Sequence, residues 1–411
     1  MPEYLGMDRL RVRLASKATR VNLRYLYYEM KNQIQAFNVT IPARWSFLSE
    51  SLGWSARAVD CIADRLIFKE FADDNFGLND ILRMNSKDIL TDSAVLSAMI
   101  SGCGFVYISA GEDEYPRLQV IDGANATGII DPITRLLTEG YAVLERDPEN
   151  GKPVLEAYFT ANETVFYPKD KMPYSIPNPT GYPLLVPIIH RPDAKRPFGH
   201  SRISRACMDI QQAALRTLQR SEISAEFYSF PQKYITGLSA DAEAMDSYRA
   251  SISSFLQFTN DENGEHPIVG QFAQQFMTPF ADQLRVLAGL FAGETGLTLD
   301  DLGFPSVNPS SAESIKASHE TLRLATRKAQ RDFSVCLLNM GFVAACLRDK
   351  QHYRREALYL TRAKWEPIFE PDAAAIGLMG DAAVKVNQAV PGFFGEGNLQ
   401  ELIGVTADDE F

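Results

Sequence analysis

The chain has 411 residues, with 41 Lys plus Arg against 52 Asp plus Glu and a net charge of −11. A composition that is 45% hydrophobic and 23% charged excludes a disordered polyelectrolyte. The acidic balance argues against a protein that wraps nucleic acid in a broad basic surface, and the length suits two or three domains of about 150 residues.

Residues 1–101 read as helical. One helix is expected over Asn22 to Phe37. Pro42 opens a second over Ala43 to Phe71, with Trp45, Leu48, Leu52, Ala56, Val59 and Ile62 at three-to-four spacing. A third runs from Asn79, a candidate N-cap, to Ser101. Arg9, Arg11, Arg13, Lys17 and Arg20 leave open a mobile basic arm ahead of them. From Cys103 to Tyr167 the texture changes to short β-rich runs broken at Asp122-Gly123, Asp131-Pro132 and Asn150-Gly151, which predicts antiparallel hairpins.

Eight prolines between Pro168 and Pro197 exclude a regular helix or a central strand and predict an extended connector. A long helix follows from Ser201 to Phe227, with Arg202, Arg205, Arg216 and Arg220 along it. Pro231 ends it. Residues 231–275 read as a small mixed unit, with a strand at Lys233–Thr236, a helix over Ala240 to Phe255 and a turn at Asn263-Gly264. Another helix is expected from Phe276 to Gly293, then a Gly/Pro/Ser loop over 296–310. Ser311 to Arg348 reads as one helix of about 38 residues, about 55 Å long. A strand near Trp365, a helix from Asp372 to Ala389 and a short helix near Leu399 complete the chain.

The five cysteines form no CxxC pair, so zinc and thioredoxin-like sites fail. Reduced, buried thiols in a reducing cytoplasm are expected. No secretory leader or membrane span is read; the apolar stretch Phe333 to Leu347 is too short to span a bilayer. Enzyme motifs also fail. No GxxxxGK[ST] loop is present, and Tyr107 stands where GxGxxG needs its third glycine. Arg323 stands where the HExxH begun by His319-Glu320 needs its second histidine. No catalytic residue, metal ligand or cofactor is assigned.

Three stretches carry a resemblance. They are Asn178 to Pro187 (NPTGYPLLVP) with Phe198 to Ile203 (FGHSRI), Phe230 to Gly237 (FPQKYITG), and Leu302 to Ile315 (LGFPSVNPSSAESI) running into Ala317 to Glu320. Their order and spacing over about 40–390 resemble the portal proteins of tailed bacteriophages, closest to those of long-tailed phages. The resemblance implies an α+β, mainly helical fold with a β-rich insert. Residues 1–200 would form most of the wing, 201–230 and 276–295 the two stem helices, and 231–275 the clip. Residues 296–310 would form the tunnel loop, 311–370 the long helix and the return to the wing, and 371–411 a short crown.

It further implies a dodecameric ring at one capsid vertex of the virion, assembled in the host cytoplasm. Such a ring conducts double-stranded DNA during packaging and ejection and nucleates head assembly. Its implied partners are the large terminase, the major capsid and scaffolding proteins and a head-tail adaptor, with no membrane. The ATPase would be the separate terminase, consistent with the missing phosphate loop.

Charge points the same way. Phosphate contacts dominate DNA affinity, so a conduit that lets DNA slide should have a bore poor in cations. The 296–310 loop carries Asp300 and Asp301 and no Lys or Arg, with Lys316 just beyond it. The candidate channel residues are Leu297, Thr298, Asp300, Asp301, Phe304, Ser306, Asn308 and Lys316. Arg202, Arg205, Arg216 and Arg220 are candidates for pairing with acids of a neighbouring subunit. The competing readings are a metal-dependent nucleic-acid enzyme with convergent carboxylates and a non-ring head scaffold. Residues 365–411 hold nine acids and one base, a net of −8, so most of the acidity sits in the implied crown.

Overall fold

The computed structural model describes residues 4–35, 50–111, 114–229, 233–236, 268–271, 276–305, 317–358, 360–369 and 373–395. Among them the chain is mixed α+β, as expected. It opens with helix α1 (Met7–Tyr28), which buries Leu10, Leu14 and Val21. Leu10 and Leu14 pack with Tyr141 and Val143 in a small core of their own.

The basic arm is therefore corrected to an ordered helix. The buried Glu139 carboxylate accepts the Leu5 N–H (2.8 Å), the Gly6 N–H (3.2 Å) and the Tyr158 hydroxyl (2.8 Å). Hydrogen bonds to a charged acceptor are worth about 1.5–3 kcal/mol each, enough to order the start of α1. The Arg11 Nη2 donates to Glu156 at 2.8 Å. The helix expected over Asn22 to Phe37 begins earlier and ends at Tyr28; residues 36–49 lie outside the described residues.

Helix α2 (Trp54–Ala63) buries Trp54, Ala58, Val59 and Ile62. The expected Ala43 to Phe71 helix stops there, because Phe68–Ala72 is strand β1, paired with the strand at Arg362–Trp365. The third expected helix is two: α3 (Leu78–Met84) and α4 (Lys87–Ser101). The break lies at Asn85 and Ser86, the latter at φ 52°. The Asn85 amide donates to Ile81 O and Pro116 O and accepts the Leu118 N–H, so its side chain draws the chain out of the helix toward the sheet. Asn79 is not the cap. Its amide accepts Phe71 N–H and donates to Phe71 O, in the manner of a strand partner, and Gly77 at φ 64° starts the helix.

The β-rich region forms two antiparallel sheets. Strands β2 (Cys103–Ser109), β3 (Arg117–Ile121) and β9 (Leu185–Ile189) pair in the order β3-β2-β9. Strands β4 (Ala126–Ile130), β5 (Leu137–Arg146), β6 (Pro153–Phe159), β7 (Glu163–Pro168) and β8 (Tyr174–Pro177) form a meander in chain order. The proline-rich connector thus contributes β8 and β9, both at sheet edges, where a proline lacking its N–H is tolerated. Pro187 lies opposite Phe105 in β9.

Helix α5 (Arg205–Ser229) leads to strand β10 (Lys233–Thr236). Strand β11 (Ile268–Gln271) pairs antiparallel with β10 and leads to helix α6 (Thr278–Thr295). Helix α7 (Glu320–Arg348) runs about 43 Å and is wholly buried from Asn339 to Cys346. It forms the axis of the main core. Gly341 lets Leu78 of α3 approach, since a Cβ there would sit 3.2 Å from the Leu78 side chain. Strand β12 (Arg362–Trp365) and helix α8 (Ala373–Ala389) follow. The helix expected from Ser311 is observed as α7 from Glu320. Residues 311–316, the Ala240–Phe255 helix, the Asn263-Gly264 turn and the helix near Leu399 lie outside the described residues.

All five cysteines are buried and free. No helix among the described residues is long and apolar enough to cross a membrane, and no group of His, Cys, Asp or Glu among them is arranged to hold a metal ion.

His190, at the end of β9, is buried against Phe333, and its Nδ1–H donates to the His200 carbonyl at 2.7 Å. Burial pushes its imidazole down from 6.5 to about 3. Between those values the unfolded chain holds the proton and the folded chain does not, so stability is lost as pH falls from 6.5 toward 3. Thermal melts from pH 7 to 4 are expected to show a steeper fall for the wild type than for His190→Gln; parallel curves contradict this assignment.

Candidate functional site

The first candidate element is the arm made by α5 and α6. The start of α5 meets the end of α6, so the two helices run antiparallel. The Ser204 hydroxyl donates to Glu294 Oε1 at 2.8 Å and also accepts the Cys207 N–H, an N-cap bond that starts α5. The expected start at Ser201 moves to Arg205 because Ser201 and Arg202 are held by the end of α4. The Ser201 hydroxyl donates to Ile100 O at 2.6 Å and the Arg202 N–H to Met99 O at 2.8 Å.

Arg202 is the knot of this junction. Its Nε donates to Ala58 O of α2 at 3.1 Å, and its Nη2 donates to Thr295 O, the last carbonyl of α6. Burial pushes this guanidinium down from its ordinary value. Within the chain Arg202 is thus an internal tie. The other three arginines stay together. Arg205, Arg216 and Arg220 fall within about 60° of one another around α5 at 100° per residue. Arg205 is exposed, whereas Arg216 and Arg220 are half-buried, and the Arg216 Nη1 reaches Gln35 O at 3.4 Å.

Two glutamines on α5 were not singled out in the sequence. Gln211 accepts the Ser55 N–H and donates to Leu52 O. Gln212 donates to the Tyr27 hydroxyl and Gln33 O and accepts the Gln35 N–H. Both are buried, and they hold the segments flanking residues 36–49 against the arm. Their only signal is an adjacent polar pair between Ile210 and Ala213, inside a face otherwise rich in small apolar residues.

The second candidate element is the loop after α6. Gly296 at φ 70° caps the helix, and a Cβ there would lie 2.8 Å from Thr321 of α7. Leu297 is buried in the main core, and Phe304 packs half-buried against it. Residues Asp300–Leu302 form a short 3₁₀ turn. The Asp301 Oδ2 accepts the Thr298 N–H and hydroxyl, both at 2.9 Å, and lies 3.4 Å from His319 Nε2 at the start of α7. Burial pushes the Asp301 carboxyl up, but the Thr298 bonds and the His319 charge outweigh it and hold it below its ordinary value. The structure thus splits the predicted channel residues. Leu297, Thr298 and Asp301 build the turn, Phe304 leans on the core, and Asp300 is exposed. Ser306, Asn308 and Lys316 lie outside the described residues.

Asp301→Ala removes the acceptor of both Thr298 bonds and the partner of His319. Hydrogen exchange is expected to speed up at 297–304 by about tenfold, the equivalent of ~1.4 kcal/mol, while α4 and the sheets stay protected. Unchanged exchange in the loop contradicts the latch.

No family model matches the chain. The portal protein of Mycobacterium phage D29 is 26% identical over 329 residues, covering 72% of this chain and 65% of that protein. The portal protein of Mycobacterium phage L5 is 24% identical over 321 residues, with the same coverage. The chain thus spans just under two thirds of the length of these curated relatives. A chain in the neck of a native gene transfer agent particle, solved with C12 symmetry, aligns with a TM-score of 0.45 and 14% identity over 86% of this chain and 90% of that one. The expected likeness to bacteriophage portal proteins is thus shown by these two curated relatives over 72% of the chain.

Proposed function

We propose that the chain assembles into a closed ring at one vertex of a phage head and serves as the conduit for double-stranded DNA during packaging and ejection. The observation that carries this reading is the match to two phage portal proteins across 72% of the chain. In this reading residues 1–200 are most of the wing, α5 and α6 the stem, and 231–275 the clip, the face for a terminase and a head-tail adaptor. Residues 371–411 form the crown, and the ring nucleates capsid assembly with the capsid and scaffolding proteins. The protein is a structural conduit and carries out no catalysis itself. Arg205, Arg216 and Arg220 face a neighbouring subunit from one side of α5.

The loop after α6 approaches the DNA. The bonds within the turn support a narrower choice of residues. Asp301 and Leu297 hold the turn in place, so contact with DNA falls to Asp300, to the exposed Gly303 and Pro305, and to the stretch through Ser306, Asn308 and Lys316. An acidic side chain in this loop keeps that contact weak, because it binds no phosphate and releases no counterion.

Asp300→Lys places a cation in the loop and keeps the Asp301 bonds to Thr298 and the Asp301 contact with His319. Heads carrying it are expected to package DNA more slowly than wild-type heads in a single-head packaging assay, and the slowing should ease as salt rises. An unchanged rate contradicts the weak-contact role.

A further inference from the structure

A second charged element lies outside the arm and the loop. Arg13, Lys17, Arg20 and Arg24 follow one another on α1 at spacings of four, three and four. At 100° per residue they fall within about 60° of one another, a single basic stripe about 16 Å long. Arg9 extends the same face by one turn.

The segment 190–200 lies against this stripe. The Arg13 guanidinium sits 5.4 Å from the centre of the Phe198 ring, and the Lys17 ammonium 5.1 Å from Phe105 and 5.5 Å from Phe198. Arg24 donates to Ser101 O at 3.0 Å, and the charges of Arg20 and Arg196 add to burial in pushing its pKa down. Cations of two separate segments therefore crowd together.

The segment is built to hold that position. Gly199, at φ 73°, passes so close to His190 O that a Cβ would sit 2.2 Å from it. The Arg191 N–H donates to Asp332, and the His200 N–H to His190 O. Lys195 and Arg196 are left exposed on the outside of the turn.

The nearby carboxylates also hold groups of their own segments. Asp193 accepts the Lys195 and Arg196 N–H groups and lies 2.6 Å from His200 Nε2. Asp122 accepts the Ala124 N–H and the Asn125 amide. Glu139 is buried on Leu5, Gly6 and Tyr158. Asp122 and Glu139 offset part of the charge on Lys17 and Arg13, while Arg20, Lys195 and Arg196 stay exposed beside them.

We infer that the exposed Arg13 and Arg20 of this stripe, with Lys195 and Arg196 beside them, bind the phosphate backbone of double-stranded DNA, at a surface separate from the loop after α6. A strand of B-DNA carries one phosphate per 3.4 Å of axis, so the roughly 10 Å from Arg13 to Arg20 spans about three phosphates. Binding by this surface is independent of base sequence and falls with salt. It goes beyond the conduit reading, since it adds a DNA-binding surface outside the loop assigned to the channel.

The test uses the full-length protein and a fluorescent duplex of about 20 base pairs at about 50 mM salt. Arg20→Gln with Arg196→Gln removes two exposed cations, and equal melting temperatures check that the fold is kept. The double variant is expected to bind about tenfold more weakly, with a log–log salt slope shallower by about 2. Arg83→Gln with Arg354→Gln, exposed cations elsewhere, should bind like the wild type. No duplex binding by the wild type, equal losses in the two variants, or binding of poly-glutamate but not of the duplex overturns the inference. Ring assembly is measured separately, so a failure here leaves the conduit reading standing.

Discussion

The guanidinium of Arg202, set among backbone carbonyls, fixes how the arm leaves the body. Arg202 bonds carbonyl oxygens of α2 and α6, and its own N–H is held by the end of α4. Thr295 O is among the last carbonyls of α6, which have no partner within their own helix and carry the negative end of the helix dipole. A cation there satisfies an orphan acceptor and meets favourable charge. Lys presents one compact ammonium and lacks the planar fork that reaches two carbonyls on different helices. The α5 and α6 helices, the β10-β11 ribbon between them and the loop after α6 all take their placement from this junction.

The loop is fixed from its other side by α7. Gly296 lets the chain turn against Thr321, Leu297 enters the core, and Asp301 ties the 3₁₀ turn to His319. One carboxylate of the Asp300-Asp301 pair is therefore structural and its neighbour is exposed.

Much of the architecture was legible in the sequence. The β-rich insert after Gly102, the strand at Lys233–Thr236, the α6 helix and the strand near Trp365 follow from periodicity and turn residues. The misreadings share a physical cause: long-range hydrogen bonds that override local spacing. Asn85 and Asn79 bond to strands and reset the ends of α3 and α4. Ser201 and Arg202 bond to α4 and delay α5. Glu139, more than 130 residues from Leu5, orders a segment whose cations read locally as a free arm. Arg202 looked like its neighbours on α5 because sequence shows charge but not burial. The basic stripe on α1 is visible in spacing alone, yet its apposition to Lys195 and Arg196 needed the fold. The candidate site was legible as a segment, not as individual roles.

The proposed ring brings these parts together: an arm fixed at its base, a weakly binding acidic loop, and acidity concentrated in residues 365–411. Negative-stain imaging of the purified full-length protein tests this most directly. The account predicts closed rings with a central hole wide enough for a DNA duplex. A population of solid, asymmetric particles of one or two chains at micromolar concentration and at head-assembly conditions contradicts it.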